Sequence, residues 1–336
     1  MNVARLARRL IFVVAMAALA AAVAGKWFLE RPLEMPAEPW NLEVRPGATL
    51  GAVARDLAGE GVIAHALPLV ALARWKGVDR AIKAGNYEFL SGITLPQLLA
   101  KLTQGDVTQT SLTIVEGATF ADFVKALRDS RDVAKTAIGL PDAELLARLG
   151  IDAPHPEGQF FPDTYHFAAG ASDVALMKRA HRLLAERLEA AWAKRAADVP
   201  LATPYEALVL ASIVEKETGR AADRPLVASV FANRLRKGMR LQSDPTVIYG
   251  MGTAFDGNLR RRDLEADTAY NTYTRAGLPP TPIALPSQAS LEAVMNPPAT
   301  DYLYFVARGD GSSEFTTNLA DHNRAVARYQ LRTGAR

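Results

Sequence analysis

The sequence contains no cysteine, and its histidines are few. Without cysteine the chain can form no disulfide bond, no catalytic thiolate and no zinc site built on sulfur ligands. The five histidines are His65, His155, His166, His181 and His322. None of them belongs to an HExxH pair, so the sequence gives no sign of a metalloenzyme. We expect a protein that works with no cofactor and no metal.

A marked excess of one sign of charge is missing as well. The 39 Lys and Arg residues are nearly balanced by 36 Asp and Glu residues, which leaves a formal charge of +3. A nucleic-acid-binding protein normally needs a strongly basic domain or patch, so nucleic acid is not expected as a partner. Hydrophobic residues make up 49% of the 336 positions, enough for a substantial core in one large domain or two.

Only one long hydrophobic run is present, and it lies at the N-terminus. Arg5, Arg8 and Arg9 precede residues 10–29, which are apolar apart from Lys26. As a helix this run is about 30 Å long, enough to cross the hydrocarbon core of a bilayer. The basic flank predicts a cytoplasmic N-terminus and a periplasmic remainder, anchored in the cell inner membrane by a single pass. A signal peptide cleaved after the small residues 22–24 is the alternative, and it exports the same remainder.

A small module is predicted after a proline-rich linker at residues 30–40. Residues 41–105 show the order strand, helix, helix, strand, with Thr49 in the position of a helix N-cap. This order and the opening VRPGATLGAVARDL resemble a LysM-like glycan-binding module. The alternative is an accessory domain that only spaces the rest of the chain from the membrane.

Two carboxylates interrupt an apolar helical run in the second half of the chain. The run begins near Pro204, a favourable first-turn residue, and contains Glu215 and Glu217. Apolar residues cover every side of this helix, so the pattern predicts a buried helix without indicating which glutamate acts. Burying a carboxylate charge unaided is very costly, so each must be neutralised, paired or used. Pairing of Glu215 with Arg220 or Arg234 is the structural alternative to a catalytic role.

Long blocks of sequence resemble the YceG-like family of endolytic murein transglycosylases. The blocks are PEGQFFPDTYHF at 156–167, SIVEKE at 212–217, VASVFANRL at 227–235, MRLQSDPTVIYG at 239–250, YNTY at 270–273, GLPPTPIALP at 277–286 and YLYFVARGDGSSEFTTNLADHN at 302–323. They follow the family's order and, with the anchor and the module, cover nearly the whole chain. The predicted fold class is α+β, made of a cytoplasmic tail (1–9), a transmembrane helix (10–29), the linker (30–40), the LysM-like module (41–105) and a larger mixed α+β YceG-like catalytic domain (106–336).

The resemblance implies a lytic transglycosylase with one essential acid. Glu215, the first glutamate of the IVEKE block, is assigned that role, with Glu217 beside it as a supporting residue. An apolar pocket can raise the pKa of a glutamate to about 6–7, so that it protonates a glycosidic oxygen at neutral pH. In this family the 6-hydroxyl of N-acetylmuramic acid (MurNAc) then attacks the anomeric carbon. The bond from MurNAc to N-acetylglucosamine (GlcNAc) is cut and a 1,6-anhydro end forms, so one carboxyl acts first as acid and then as base.

The substrate-binding residues are expected mainly in the loops after this helix. They are Gln242, Asp244, Thr246, Tyr249, Asn271, Tyr273 and, in the earlier aromatic loop, Glu157. Asp244 is expected to stabilise positive charge on the sugar ring, and the pair Asp244-Pro245 favours an extended turn. The alternative for the polar residues is a turn that satisfies its own backbone, and for the tyrosines it is plain packing.

The expected partners are peptidoglycan glycan strands, the inner membrane and peptidoglycan synthases. A position at the membrane suggests action on nascent strands, ending their elongation. Two other functions stay open on the sequence alone. One is a non-catalytic glycan-binding or scaffold protein of the cell-wall machinery, and the other is a hydrolase that leaves reducing ends.

Overall fold

The structure, a computed structural model, describes residues 3–45, 47–105 and 109–330. Backbone contacts divide the chain into two units. Unit 1 comprises the residues up to Thr110 together with His166–Ala171, and unit 2 comprises Ser111–Tyr165 and the residues from Ser172 onward. The mixed α+β class is as predicted, and the sheets formed by the described residues all have two strands.

The N-terminal helix α1 spans Val3–Glu30. Its segment Phe12–Glu30 has a mean hydropathy of 2.0 and is long and apolar enough to cross a membrane. Phe12 and Trp27 are 67% and 70% exposed, so this surface is not covered by the rest of the protein. A signal sequence would pass the same test of length and composition, so both expectations for this segment remain.

Unit 1 has the predicted order of strand, helix, helix, strand. Its elements after α1 are β1 (Trp40–Val44), α2 (Leu50–Gly59), α3 (Ala66–Trp75), β2 (Gly85–Phe89) and α4 (Leu95–Gln104). The strands β1 and β2 are antiparallel, with Trp40 opposite Phe89. Thr49 caps α2 by accepting a hydrogen bond from the amide of Ala52, as its position predicts. The fully buried Leu57, Leu69 and Leu98 join the helices to this hairpin in one apolar core.

The remaining elements follow in chain order. They are β3 (Gln109–Thr113), α5 (Phe120–Asp129), β4 (Val133–Ala134), α6 (Asp142–Leu149), β5 (Thr164–Ala168), β6 (Ala171–Ser172), α7 (Asp173–Ala193), α8 (Pro204–Glu217), α9 (Arg224–Arg236), α10 (Asp244–Met251), α11 (Arg261–Glu265), α12 (Gln288–Met295), β7 (Tyr304–Ala307), β8 (Ser313–Thr316) and α13 (Leu319–Tyr329). The sheets pair β3 with β5, β4 with β6, and β7 with β8.

The helix α8 is the predicted buried helix. Residues 207–214 all have 2% or less of their surface exposed, and α7, α9 and α12 pack around them. Thr203 caps the helix by accepting from the amide of Glu206, and Pro204 occupies its first turn. The helix ends at Glu217, because Thr218 is extended. Both glutamates therefore lie on the last turn, where the buried helix leaves the core.

The expectation of an extended turn at Asp244-Pro245 is wrong. These residues form the first turn of α10, with Asp244 as an acidic residue beside the helix N-terminus. Proline is compatible with a first turn because its missing N–H would have no partner there. The carboxylate of Asp244 also interacts favourably with the partial positive charge of that helix end.

Candidate active site

Glu217 lines a cavity of about 590 Å³ in unit 2, called here the Glu217 cavity. Side chains from α9, α10, the hairpin β7–β8 and α13 form its wall. The polar and aromatic members include Arg234, Gln242, Asp244, Tyr273, Tyr304 and His322. The last turn of α8 thus presents one carboxyl group to a space large enough for a sugar residue.

The environment of Glu217 favours a protonated carboxyl group near neutral pH. Burial raises its pKa from 4.5 to about 7, and the negative charge of Asp244 acts in the same direction. A hydrogen bond of 2.5 Å from Ser243 Oγ to Glu217 Oε1 and the positive charge of Arg234 act in the opposite direction. Near pH 7 a substantial fraction of Glu217 therefore carries a proton that it can donate.

Glu215 has a different environment on the other side of the helix. Its Oε2 accepts hydrogen bonds from the amide of Ser287 (2.9 Å), from Ser287 Oγ (2.5 Å) and from Ser290 Oγ (2.6 Å). Its Oε1 lies 3.8 Å from Arg224 Nη2, so the pairing partner is Arg224 rather than Arg220 or Arg234. The side chain is only 7% exposed and does not line the Glu217 cavity. Glu215 thus ties α8 to the start of α12 and to α9.

Gln242, Asp244 and Tyr273 line the cavity together with Glu217. The hydroxyl of Tyr273 donates to Asp244 Oδ1 at 2.5 Å, which fixes both side chains at the cavity edge. Gln242 has a φ of 53°, and its amide donates to the carbonyl of Thr272. These three predicted residues are thus brought together beside a carboxyl group.

Thr246 and Asn271 are placed inside the protein, each with no exposed surface. Thr246 Oγ1 donates to the carbonyl of Ser243 and shares a hydrogen bond with Thr272. The Asn271 amide donates to the carbonyls of Asp263, Leu264 and Ala266. In these positions their side chains hold the loops around the cavity together, and they expose no surface that a sugar could contact.

Glu157 and the partly buried Tyr249 form a hydrogen-bonded pair that does not line the Glu217 cavity. Glu157 is 3% exposed and accepts hydrogen bonds from the Phe120 amide and the Tyr249 hydroxyl. Burial raises the pKa of Glu157 to about 7, partly offset by these hydrogen bonds. The loop that carries Glu157 is therefore packed into the protein and does not place this carboxyl group on the cavity wall.

The sequence analysis missed four polar or aromatic residues of the site. Arg234 counted there only as a possible partner of Glu215, and Ser243, Tyr304 and His322 were given no role. In the structure Arg234 lies over the Tyr304 ring at 5.0 Å, and the His322 ring stacks against the same Tyr304 ring with a centroid distance of 5.1 Å. The one signal in the sequence was that all four residues lie in the blocks that resemble the family, because no local pattern relates residues on α9 to residues on α13.

No metal centre accompanies these groups in the part of the chain that the structure describes. Across residues 3–45, 47–105 and 109–330, no cluster of three or more histidine and carboxylate side chains is placed to hold a metal ion.

Residues 42–328 match the model of the YceG-like family. A Bacillus subtilis protein named endolytic murein transglycosylase is 34% identical over 328 residues, which span 91% of this chain and 89% of that protein. Proteins with the same name from two Streptococcus pneumoniae strains are 29% identical over 84% of this chain and 57% of their own length. A crystal structure described as a YceG-like protein from Listeria monocytogenes has a TM-score of 0.54 and 28% identity, covering 85% of this chain and 98% of that one.

Proposed function

This chain belongs to the YceG-like family, and we propose that it shares the activity named for its curated relatives, endolytic murein transglycosylation. Its substrate is then the glycan strand of peptidoglycan. The observation that carries the proposal is Glu217, a carboxyl group with a pKa of about 7 on the wall of a cavity of about 590 Å³. General acid catalysis at neutral pH requires such a group, within reach of a bound sugar.

The contacts favour Glu217 over Glu215 as this acid. Three hydrogen-bond donors and Arg224 surround the carboxylate of Glu215, and the residue does not line the cavity. Glu217 has one donor, Ser243, and lines the cavity. Assignment of the acid to Glu215 from the order of the IVEKE block stays a prediction, and the experiment below decides between the two.

In the proposed reaction Glu217 protonates the oxygen that links MurNAc to GlcNAc. The C1–O bond breaks and its electron pair stays on the departing GlcNAc oxygen. The 6-hydroxyl oxygen of MurNAc then bonds to C1, and its proton returns to Glu217, which restores the enzyme and leaves a 1,6-anhydro end. Asp244 supports this step, because a carboxylate beside the sugar stabilises the positive charge that develops at C1.

The test is to incubate the full chain in detergent with purified peptidoglycan and to analyse the products by mass spectrometry. Glu217→Gln is expected to lower the yield of anhydro-ended fragments by about 100-fold or more, whereas Glu215→Gln retains activity per folded molecule. Loss of activity only in a normally stable Glu215→Gln would reverse the assignment. Reducing ends would identify a hydrolase, and no products from the parent would favour a glycan-binding scaffold.

The finer features of the prediction concern the rest of the chain. The helix α1 is proposed to anchor the protein in the inner membrane with its N-terminus in the cytoplasm, which the apolar segment Phe12–Glu30 supports. Unit 1 is proposed to bind glycan as a LysM-like module, a proposal supported by its strand, helix, helix, strand order.

With peptidoglycan synthases as partners, the enzyme would end strand elongation. Deleting the protein should then lengthen glycan strands, and an unchanged length distribution would count against this role.

A further inference from the structure

Arg234 is a buried cation whose hydrogen bonds all go to neutral acceptors. It is 7% exposed. Its Nε donates to the carbonyl of Leu303 at 2.7 Å, and its Nη1 donates to the carbonyls of Arg240 and Leu241 and to Gln242 Oε1. Among the described residues no carboxylate oxygen lies within 4.0 Å of its side-chain nitrogens. Burying a charge without an opposite charge is costly, so this arrangement calls for an explanation.

The group that can supply the opposite charge is Glu217. Both residues line the Glu217 cavity, and the positive charge of Arg234 lowers the pKa of Glu217 against the larger effect of burial. Burial lowers the pKa of Arg234, and Tyr304, Tyr273 and Glu217 act in the opposite direction. The interaction exists only while Glu217 is ionised, because a protonated carboxyl group carries no charge.

We propose that Arg234 is a positioning residue that stabilises the carboxylate of Glu217 during the interval between its two proton transfers. The inference rests on the proposed function. When Glu217 has given its proton to the departing oxygen, the cavity contains a new negative charge beside a fixed guanidinium group. A preorganised charge of this kind stabilises the developing anion without any reorganisation. The backbone carbonyls of Leu303, Arg240 and Leu241 hold the guanidinium in place throughout.

The other groups that face Glu217 do not take this part. Ser243 donates one neutral hydrogen bond, and Asp244 carries charge of the wrong sign. Burial raises the pKa of Tyr273, which keeps its phenol neutral. Burial and the charge of Arg234 lower the pKa of His322, so its imidazole is neutral at pH 7. Of the described residues that line this cavity, Arg234 is the sole lysine or arginine.

The inference predicts a change in the pH dependence of cleavage. The active enzyme carries a proton on Glu217, so activity should fall as the pH rises through a value of about 7. Removing the positive charge weakens Glu217 as an acid. The fall should then move to higher pH by about one unit, since nearby opposite charges shift carboxyl pKa values by about one unit or more. The maximal kcat should also decrease, with little change in KM, because the missing stabilisation belongs to the reacting state.

Four variants test this prediction in a pH series on peptidoglycan. Arg234→Met removes the charge, and Arg234→Lys keeps it while breaking the guanidinium hydrogen bonds. Gln242→Glu retains Arg234 and places a carboxylate where Gln242 Oε1 now accepts its hydrogen bond at 3.2 Å. The control is Arg236→Met, since Arg236 is on the same helix but pairs with Asp198 at the surface. The pH at which activity falls should rise in Arg234→Met and Gln242→Glu, and it should stay unchanged in Arg234→Lys and in the control.

A purely structural role for Arg234 would give a different pattern. Both Arg234 variants would then lose activity together, with the pH of the fall in activity unchanged in both, and the inference would be overturned. If Arg234→Met does not fold, Arg234→Gln, which can still donate to a backbone carbonyl, takes its place as the uncharged variant. NMR titration of the Glu217 carboxyl carbon in the parent and in the uncharged variant gives a readout that does not need turnover. An unshifted titration there overturns the inference, even if the proposed activity is absent.

Discussion

Glu215 and Glu217 are two residues apart on α8, which separates them by roughly 200° around the helix axis. The side chain of Glu217 therefore lines the cavity, while that of Glu215 contacts Ser287 and Ser290 at the start of α12. The sequence pattern correctly indicated a buried helix around both. It could not separate their roles, because the donors to Glu215 lie 72 and 75 residues away along the chain.

Replacing Glu215 with glutamine should destabilise the protein more than it impairs the chemistry. The amide keeps an acceptor for the serines but loses the charge that faces Arg224. We expect the free energy of unfolding to fall by about 1–3 kcal/mol, as for a buried charge-assisted network that loses one charge. Urea unfolding monitored by circular dichroism measures this change. Glu265→Gln is the matched control, since its ion pair with Arg261 is exposed and worth little; equal effects of the two variants would contradict the prediction.

Glu157 should make the stability of the protein depend on pH in a defined direction. Its pKa is about 7 in the folded protein against 4.5 as the ordinary value, so the folded state binds the proton more tightly. Stability is therefore lost as the pH rises from about 4.5 to about 7, by up to about 3 kcal/mol from this group.

The measurement is the difference in unfolding free energy between the parent and Glu157→Gln across this pH range. The glutamine variant lacks the titrating group, so its stability should decline less as the pH rises. Taking the difference removes the contribution of the other titrating groups, Glu217 among them. Parallel pH profiles for the two proteins would show that the carboxyl group of Glu157 is not buried as described.

At the scale of elements, local sequence patterns predicted the regular helices correctly. They failed at a proline, because proline is compatible both with an extended turn and with the first turn of a helix. The burial of α8 and the capping of α2 by Thr49 could be predicted from the local sequence. Asp244-Pro245 was read as an extended turn, yet it starts α10. In a helix interior a proline disfavours the helical conformation of the residue before it, but in the first turn of a helix a proline is favourable. Whether an Asp-Pro pair forms an extended turn or starts a helix therefore depends on how the residues after it pack.

The loop at residues 154–163 packs closely against the loop at residues 277–286, and Gly158 makes this close approach possible. Gly158 has a φ of 77°, and a Cβ there would lie 2.4 Å from both Cβ and Cγ of Pro282. Gly158→Ala should therefore lower the free energy of unfolding by about 2 kcal/mol or more, from strain and overcrowding together.

Gly150→Ala is the control for this effect. Gly150 has a similar φ of 74° at the end of α6, but no atom lies within 4 Å of an added Cβ. It should show the backbone strain alone, about 1 kcal/mol. Thermal unfolding of the two variants side by side isolates the contribution of Pro282, and equal losses would argue against the contact.

On the scale of the whole molecule, the order of strands and helices in unit 1 was predictable because these elements follow closely in sequence. The inclusion of His166–Ala171 in unit 1 was not, since it depends on contacts made far along the chain. Likewise the Glu217 cavity needs the hairpin β7–β8 and α13 beside α8, and these elements are far from α8 along the chain. The resemblance to a family indicated an acid on this helix but assigned it to Glu215.

The apolar surface of α1 should decide where the full chain partitions. Phe12, Leu19 and Trp27 are each more than half exposed, so the intact protein should be recovered with membranes and require detergent for extraction. A chain that lacks residues 1–30 should be recovered in the aqueous fraction instead. Intact-mass measurement of the extracted protein shows whether the helix is retained. Aqueous recovery of the uncleaved full chain would contradict a membrane anchor.

The hairpin strand β8 places Ser313 on the wall of the Glu217 cavity, with its amide held by Asp223. Since the chain contains no cysteine, Ser313→Cys would create a unique attachment point for a fluorophore or a spin label. No background labelling has to be removed by mutation, so the rest of the protein stays unaltered. Such a reporter would follow the arrival and departure of a glycan strand in real time, even in Glu217→Gln, where binding can be observed without turnover.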